Sequence, residues 1–280
     1  MTKTGASLEE ARRAYARSLA QQSGGTDPRI EQAFAAVPRE DFLPPGPWRI
    51  LRGRRYVRTP DANPVHLYRN VLVALDAARG INNGEPLLHA AWIAAVAPAP
   101  GEAVTQIGVG MGYYTAILAM LVGDGGSVTG FEVDPELARA AQRNLAAFAG
   151  VTVISGDAST ASLPPSDIVY VNAGVAAPPA AWLAALKPAG RMIFPWRPAA
   201  DIGLAVLIVR HAAGFAARAV MPSWFIPCAG ASDATRTLAP PASSQAAWRI
   251  ASLWLIRDRP PDATAVAVYP DLWFSSQALQ

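Results

Sequence analysis

The chain has 280 residues, 51% of them hydrophobic and 16% charged, with a formal net charge of +3 and a single cysteine. That composition supplies a buried core and excludes a disordered or disulfide-stapled chain. Cys228 alone excludes a cysteine-based zinc site, the dispersed His66, His89 and His211 show no metal-ligand spacing, and no apolar run reaches the ~18 residues that cross a bilayer.

From Ser7 to Gln22 the pattern is helical and stops at Ser23-Gly24-Gly25. Lys3, Glu9, Glu10, Arg12 and Arg13 do not suit a signal peptide, and with the cysteine usage they make a cytoplasmic location the expectation. Asp27 as N-cap and Pro28 at the first helical position predict a second helix to Val37. Pro38 to Pro47 reads as loop. Trp48 to Gly84 is irregular, carries a turn signal at Asn82-Asn83-Gly84 and is too long for a connector. Tyr56, Tyr68 and the arginines around them are expected to form a lid. The densest basic run lies here, with Arg49, Arg52, Arg54, Arg55 and Arg58. Such a run can bind phosphates, but arginines on a solvated face are the commoner reading, which weighs against a nucleic-acid partner.

Beyond Pro86 helices are predicted over Leu87–Val96, Tyr113–Leu121, Pro135–Phe148 and Pro179–Leu186. Strands are predicted over Ala103–Ile107, Ser127–Val133, Val151–Ser155, Ile168–Asn172 and Arg191–Phe194. This alternation indicates an α/β fold with a Rossmann-like, doubly wound, mostly parallel sheet. Ile202–Arg210 and Phe215–Met221 then read as successive strands at an antiparallel edge. After the Ser/Ala/Pro-rich link Ala229–Gln245, Ala247–Ile256 and Ala263–Tyr269 are strand-like around Pro260-Pro261. The division expected is a helical cap with a substrate-side segment over 1–85, a cofactor-binding core over 86–231 and a β extension over 232–280. The tail, with Trp248, Trp254, Trp273 and Phe274, is expected on the sheet edge or against a second subunit, so a homodimer stays open.

The chemistry concentrates where the strand ending at Ile107 meets Gly108, Gly110 and Gly112 and then a helix. Glycine lets the backbone turn tightly against a ligand, and the helix N-terminus offers free N–H groups. At the end of the next strand stands Glu132, a carboxylate able to accept both hydroxyls of a ribose. Spacing alone leaves a dinucleotide and S-adenosylmethionine (SAM) open. Asp157 and Ala158 after the third strand, where a carboxylate can bond an adenine amino group, and Asn172 closing the fourth favour SAM.

Several further pieces carry a resemblance to a known family. They are Ala36-Val-Pro-Arg-Glu-Asp-Phe-Leu-Pro44, Pro86-Leu-Leu-His-Ala90, Gly108 to Tyr113, Gly156-Asp157, Val169-Tyr-Val-Asn-Ala173 and Leu186-Lys-Pro-Ala-Gly-Arg-Met-Ile-Phe-Pro195. Taken in order, from about Ile30 to Ala231, they resemble the protein-L-isoaspartate O-methyltransferases. The resemblance implies a class I SAM-dependent fold that transfers methyl to a carboxylate in repair of damaged aspartyl residues. It implies SAM lying over Gly108, Gly110, Gly112, Glu132 and Asp157, with Gln106, Tyr113, Val133, Ala158 and Asn172 as the neighbouring candidates.

Two departures stand out. Gln106 occupies a position where the family has an acidic residue, and Gly84 one where the family carries a substrate-side serine. The candidates for a replaced acceptor pocket are Asn82, Asn83, Gly84, Glu85 and His89, although an Asn-Asn-Gly run is usually a turn and a lone histidine on an apolar helix usually packs. No catalytic base is named, because a carboxylate with a reference pKa of ~4 is already ionised at neutral pH. The expected acceptor is a carboxylate on a protein, peptide or small metabolite. The alternatives are a methyltransferase for a different small molecule or modified peptide, favoured by Gly84, and a SAM-binding module without catalysis, favoured by Gln106. A nicotinamide oxidoreductase ranks last.

Overall fold

The structure, a computed structural model, describes residues 3–279. It divides into two compact units: Met1–Gly101 with Val109–Val128 and Asp134–Ile154, and Glu102–Gly108 with Thr129–Val133 and Ser155–Gln280.

The N-terminal part of the first unit holds α1 (Lys3–Gln22) and α2 (Pro28–Ala36), then two antiparallel hairpins and α3. As the sequence indicates, Asp27 caps α2, its carboxylate accepting from Arg29 N at 2.9 Å. The segment read as irregular is ordered into β1 (Arg49–Arg52) with β2 (Arg55–Arg58), and β3 (Ala74–Asp76) with β4 (Ile81–Asn82). These strands have two to four residues, too few for a period-2 pattern to show. The chain reverses before Gly80 (φ +70°), and the Asn82-Asn83-Gly84 signal falls at the end of a strand. α3 (Pro86–Val96) follows at once.

The alternation beyond it is as expected: β5 (Ala103–Ile107), α4 (Tyr113–Val122), β6 (Ser127–Glu132), α5 (Pro135–Asn144), β7 (Val151–Ser155), β8 (Ser166–Val171) and α6 (Ala180–Ala185). Helix α5 starts because Asp134 accepts from Glu136 N and Leu137 N at 2.8 and 3.2 Å with Pro135 at its first position. Then come β9 (Leu186–Ala199), β10 (Ile202–His211), β11 (Gly214–Pro222), the single turn α7 (Ser244–Ala247), β12 (Ser252–Leu255), β13 (Ala265–Val268) and β14 (Leu272–Ser275). Ten strands are ordered β13-β14-β12-β11-β10-β9-β8-β5-β6-β7. β5 and β9 flank β8 in parallel, and from β9 outward each pairing is antiparallel.

β9 far exceeds the four residues read for it, because Pro188, Pro195 and Pro198 break the pattern that marks a strand. Ala247 ends a helical turn that Ser243 caps, so the strand read over Ala247–Ile256 begins only at Ser252. The strand β14 is fully buried and lacks alternation, and it inserts between β12 and β13. In the core of the second unit Trp196 packs on Phe274 with ring centroids 4.7 Å apart, and the Trp196 indole N–H donates to the Tyr269 hydroxyl at 2.9 Å.

Tyr269→Phe keeps that packing but strands the buried indole N–H, at a cost of about 1–3 kcal/mol. Thermal or urea unfolding is expected to show this loss; a difference below about 0.5 kcal/mol would mean that the bond contributes little to stability.

Candidate functional site

In the second unit the candidates lie at the carboxyl ends of strands, where α/β sheets place ligand sites. Gly108 N donates to Phe131 O at 2.9 Å and Asn172 N to Ile107 O at 2.7 Å, which align the ends of β5, β6 and β8. The Asn172 amide donates to Gly108 O at 3.0 Å and so fixes the first glycine, while its own Oδ1 is buried without a partner. Gln106 has no exposed surface, and neither its Oε1 nor its Nε2 meets a polar group of the protein. Glu132 is 6% exposed, and the next residue, Val133, is 53% exposed, an apolar side chain presented to solvent. Asp157 accepts from Ser159 N at 2.8 Å, and the buried Ala158 is held through its carbonyl by Trp182 Nε1 at 2.9 Å. Sequence reasoning missed the segment Cys228–Gly230, which closes on this place: a Cβ on Gly230 would overlap Ser159 Oγ and lie 2.8 Å from an Asp157 carboxylate oxygen. Burial, then the charges of Asp157 and Glu132, pushes the Cys228 thiol up to about 12, so it is no nucleophile at neutral pH. Only the glycine itself hinted at this closure.

The glycine turn continues through Gly110 and Gly112 into α4. Gly112 has φ +100°, and a Cβ there would stand 2.8 Å from Leu145 Cδ1, so no other residue fits this N-cap without movement. Tyr113, the first helical residue, is 3% exposed, and its ring packs among Phe34, Phe42 and Tyr114.

The acceptor candidates belong to the first unit, and an arginine that sequence reasoning did not single out organises them. Arg39, fully buried in the short 3₁₀ turn Arg39–Phe42, donates to Leu67 O at 2.8 Å, Val71 O at 2.7 Å and Asn83 Oδ1 at 3.0 Å. Asn83 Oδ1 also accepts from Val73 N at 3.2 Å, while its Nδ2 is buried without a partner. Asn82 Oδ1 accepts from Gly84 N at 3.0 Å. Glu85 accepts from Asn70 Nδ2 at 2.6 Å, and Asn70 Oδ1 in turn caps α3 by accepting from Leu87 N at 2.9 Å. Tyr68 is no lid residue: it is buried, its hydroxyl donates to the Glu40 carboxylate and its ring meets Tyr15 edge-on.

His89 takes the packed alternative. It is 1% exposed and stacks on Tyr114 at 3.6 Å between ring centroids, while the Tyr114 hydroxyl donates to Gly84 O at 3.2 Å. Burial first, then the Arg39 charge, lowers its pKa to about 3, so it is neutral near pH 7 and a poor base. Gly84 has φ +79°; a Cβ there would overlap His89 Nε2 and lie 2.8 Å from His89 Cδ2 and 3.0 Å from Tyr114 Cε2. A serine at position 84 therefore requires the His89 and Tyr114 rings to shift.

A strand running through glycines into a helix, with carboxylates after the next two strands, is the layout of the class I SAM-dependent methyltransferases. A sequence model of the protein-L-isoaspartate(D-aspartate) O-methyltransferases matches residues 13–233. The protein-L-isoaspartate O-methyltransferase of Ignicoccus hospitalis is 30% identical over 224 residues, 79% of this chain and 98% of that protein. A solved protein-L-isoaspartate O-methyltransferase superposes with a TM-score of 0.67 at 20% identity, covering 95% of this chain and 88% of that one. Another, from Plasmodium falciparum in complex with S-adenosyl-L-homocysteine, gives 0.62 at 16% identity over 78% of this chain and 97% of its own. The chain belongs to the protein-L-isoaspartate(D-aspartate) O-methyltransferase family, and it is a SAM-dependent methyltransferase. Among the described residues no helix is long and apolar enough to cross a membrane.

Gly84→Ser is expected to destabilise the protein by about 1–3 kcal/mol, from left-handed backbone and overpacking together. In a double-mutant cycle with His89→Ala, part of that cost is expected back, with a coupling above about 0.5 kcal/mol. Strictly additive costs would place the strain in the backbone alone. His89 gives a pH signature as well. Between about pH 6.5 and 3 the unfolded chain binds a proton on this histidine that the folded chain does not, so stability falls as pH drops through that window, by up to about 1.4 kcal/mol per pH unit. Urea midpoints at neutral and acid pH should show this component in the native protein and lose it in His89→Phe.

Proposed function

We propose that this methyltransferase acts on a carboxylate of a protein or peptide. In this reading Gln106, Gly108, Glu132, Val133, Asp157, Ala158 and Asn172 hold the cofactor, together with the turn through Gly110 and Gly112 to Tyr113. The observation that carries it is Gln106, a fully buried side chain whose amide donor and acceptor both lack a partner within the protein. Buried amides in that state are rare without a ligand, because stranding them costs about 1–3 kcal/mol each. The neighbours suit SAM: Glu132 for ribose hydroxyls, the exposed Val133 side chain for a ring, Asp157 for an exocyclic amine.

When bound, the cofactor supplies an electrophilic methyl group on a sulfonium sulfur. The chain's part is to bind, orient and exclude water. A carboxylate acceptor arrives ionised and needs no base, which accords with a buried, stacked His89 that is hard to protonate. Asn83 is a rigid donor, because Arg39 and Val73 N fix its Oδ1 and leave Nδ2 to bond an acceptor oxygen. Asn82 and Glu85 flank it. Gly84 contributes no hydroxyl, and this favours a second reading, in which the carboxylate belongs to a modified peptide or small molecule other than an isoaspartyl residue.

Calorimetric titration with SAM, followed by tritiated-methyl transfer to an isoaspartyl peptide, tests both readings. Binding is expected, and Glu132→Gln is expected to weaken it by about 10- to 100-fold, as loss of charge-assisted hydrogen bonds does. Methyl transfer would assign repair to this chain; binding without transfer would select the other acceptors. Absence of SAM binding would overturn the cofactor assignment.

A further inference from the structure

The arginine-rich stretch, read from sequence as a solvated face, folds into the β1–β2 hairpin. Its register sets Arg49 directly opposite Arg58 and Arg52 directly opposite Arg55, with Arg54 in the connecting turn beside Gly53 (φ +61°). Like charges directly across two strands repel, and a hairpin stabilised only from within would not select two such pairs. All five arginines are exposed, and among the described residues none of their side chains has an ion-pair or hydrogen-bond partner. From Leu43 to Pro60 the sequence holds no aspartate or glutamate. Elsewhere Arg29, Arg79, Arg191 and Arg259 each pair with a carboxylate at 2.5 to 2.6 Å.

The hairpin is firmly seated. Ile50 is 4% exposed and clusters with Leu43, Trp48, Leu67 and Val73. Leu51 N donates to Leu72 O at 2.9 Å, Ile50 bridges Val73, and Val73 O accepts from Asn83 N at 3.0 Å. The Tyr56 phenol has the Asn82 side chain as its hydrogen-bond partner. The arginines therefore stand on the same short framework that presents Asn82, Asn83 and Gly84.

We propose that the β1–β2 hairpin is a docking arm for an acidic polypeptide segment. In the reading given above, which this inference rests on for the partner's identity, that polypeptide is the methyl acceptor. The charge calls for a polyanion, and the register selects a flexible one. Arg49 and Arg58 share one face of the ribbon with Tyr56, while Arg52 and Arg55 lie on the other. An extended acidic chain can wrap to reach both faces, whereas a rigid duplex lies against only one.

Fluorescence anisotropy on the full-length protein, with a labelled oligoglutamate peptide and separately a labelled short DNA duplex, tests this. The peptide is expected to bind, more weakly as salt rises. The triple variant Arg52→Gln, Arg54→Gln, Arg55→Gln is expected to lose about tenfold or more in peptide affinity. Its SAM affinity should stay at the native level and its thermal midpoint should not fall, since it loses no side-chain bond and sheds one repulsive pair. The corresponding triple lysine variant should retain most of the binding. No peptide binding by the native protein, undiminished binding by the glutamine variant, or a duplex bound more tightly than the peptide would each overturn the proposal. The assay needs no methyl transfer, so its failure is separable from failure of SAM to bind.

Discussion

The buried guanidinium of Arg39 sets the conditions for everything around it in the first unit. A charge without exposed surface must be compensated, and here the carbonyl dipoles of Leu67, Arg69 and Val71 and the Asn83 amide oxygen take the two terminal nitrogens, while Nε is buried without a partner. Satisfying one side chain therefore fixes the path of residues 67–71 and the orientation of Asn83. The same charge adds to the burial that keeps His89 unprotonated and opposes the burial that raises the Tyr113 and Tyr114 phenols. One arginine thereby orients Asn83 among the acceptor candidates and reinforces the effect of burial on His89.

The second unit solves a related problem by another route. A carboxylate at position 106 would be fully desolvated whenever no ligand is bound, a cost far above that of an unpaired amide. Gln106 lowers the cost of the empty state and also gives up the electrostatic attraction that a carboxylate would offer to an ammonium group. Its neutrality fits a place that already holds Glu132 and Asp157, whose charges are felt as far as Cys228.

Much of this was readable from residue order. Asp27 and the proline after it announce a helix start, and the apolar run at the end of β8 announces a buried strand. The glycine turn, Glu132 and Asp157 declare themselves by following strands. What escaped has physical causes. The strands of the first unit are too short to show a period, proline interrupts β9, and β14 is buried on both faces and so does not alternate. The role of Arg39 depends on carbonyls some thirty residues away, which no local pattern encodes, and Tyr68 reads as a surface residue until its partner Glu40 is known.

The contact of Gly84 with His89 and Tyr114 also bears on descent. The glycine carbonyl takes the tyrosine hydroxyl, and the histidine ring fills the space a side chain would need. A hydroxyl introduced at position 84 therefore carries a stability cost that an earlier change at position 89 or 114 would lessen. The order of substitutions, and not only their identity, thus decides how costly a serine is at position 84.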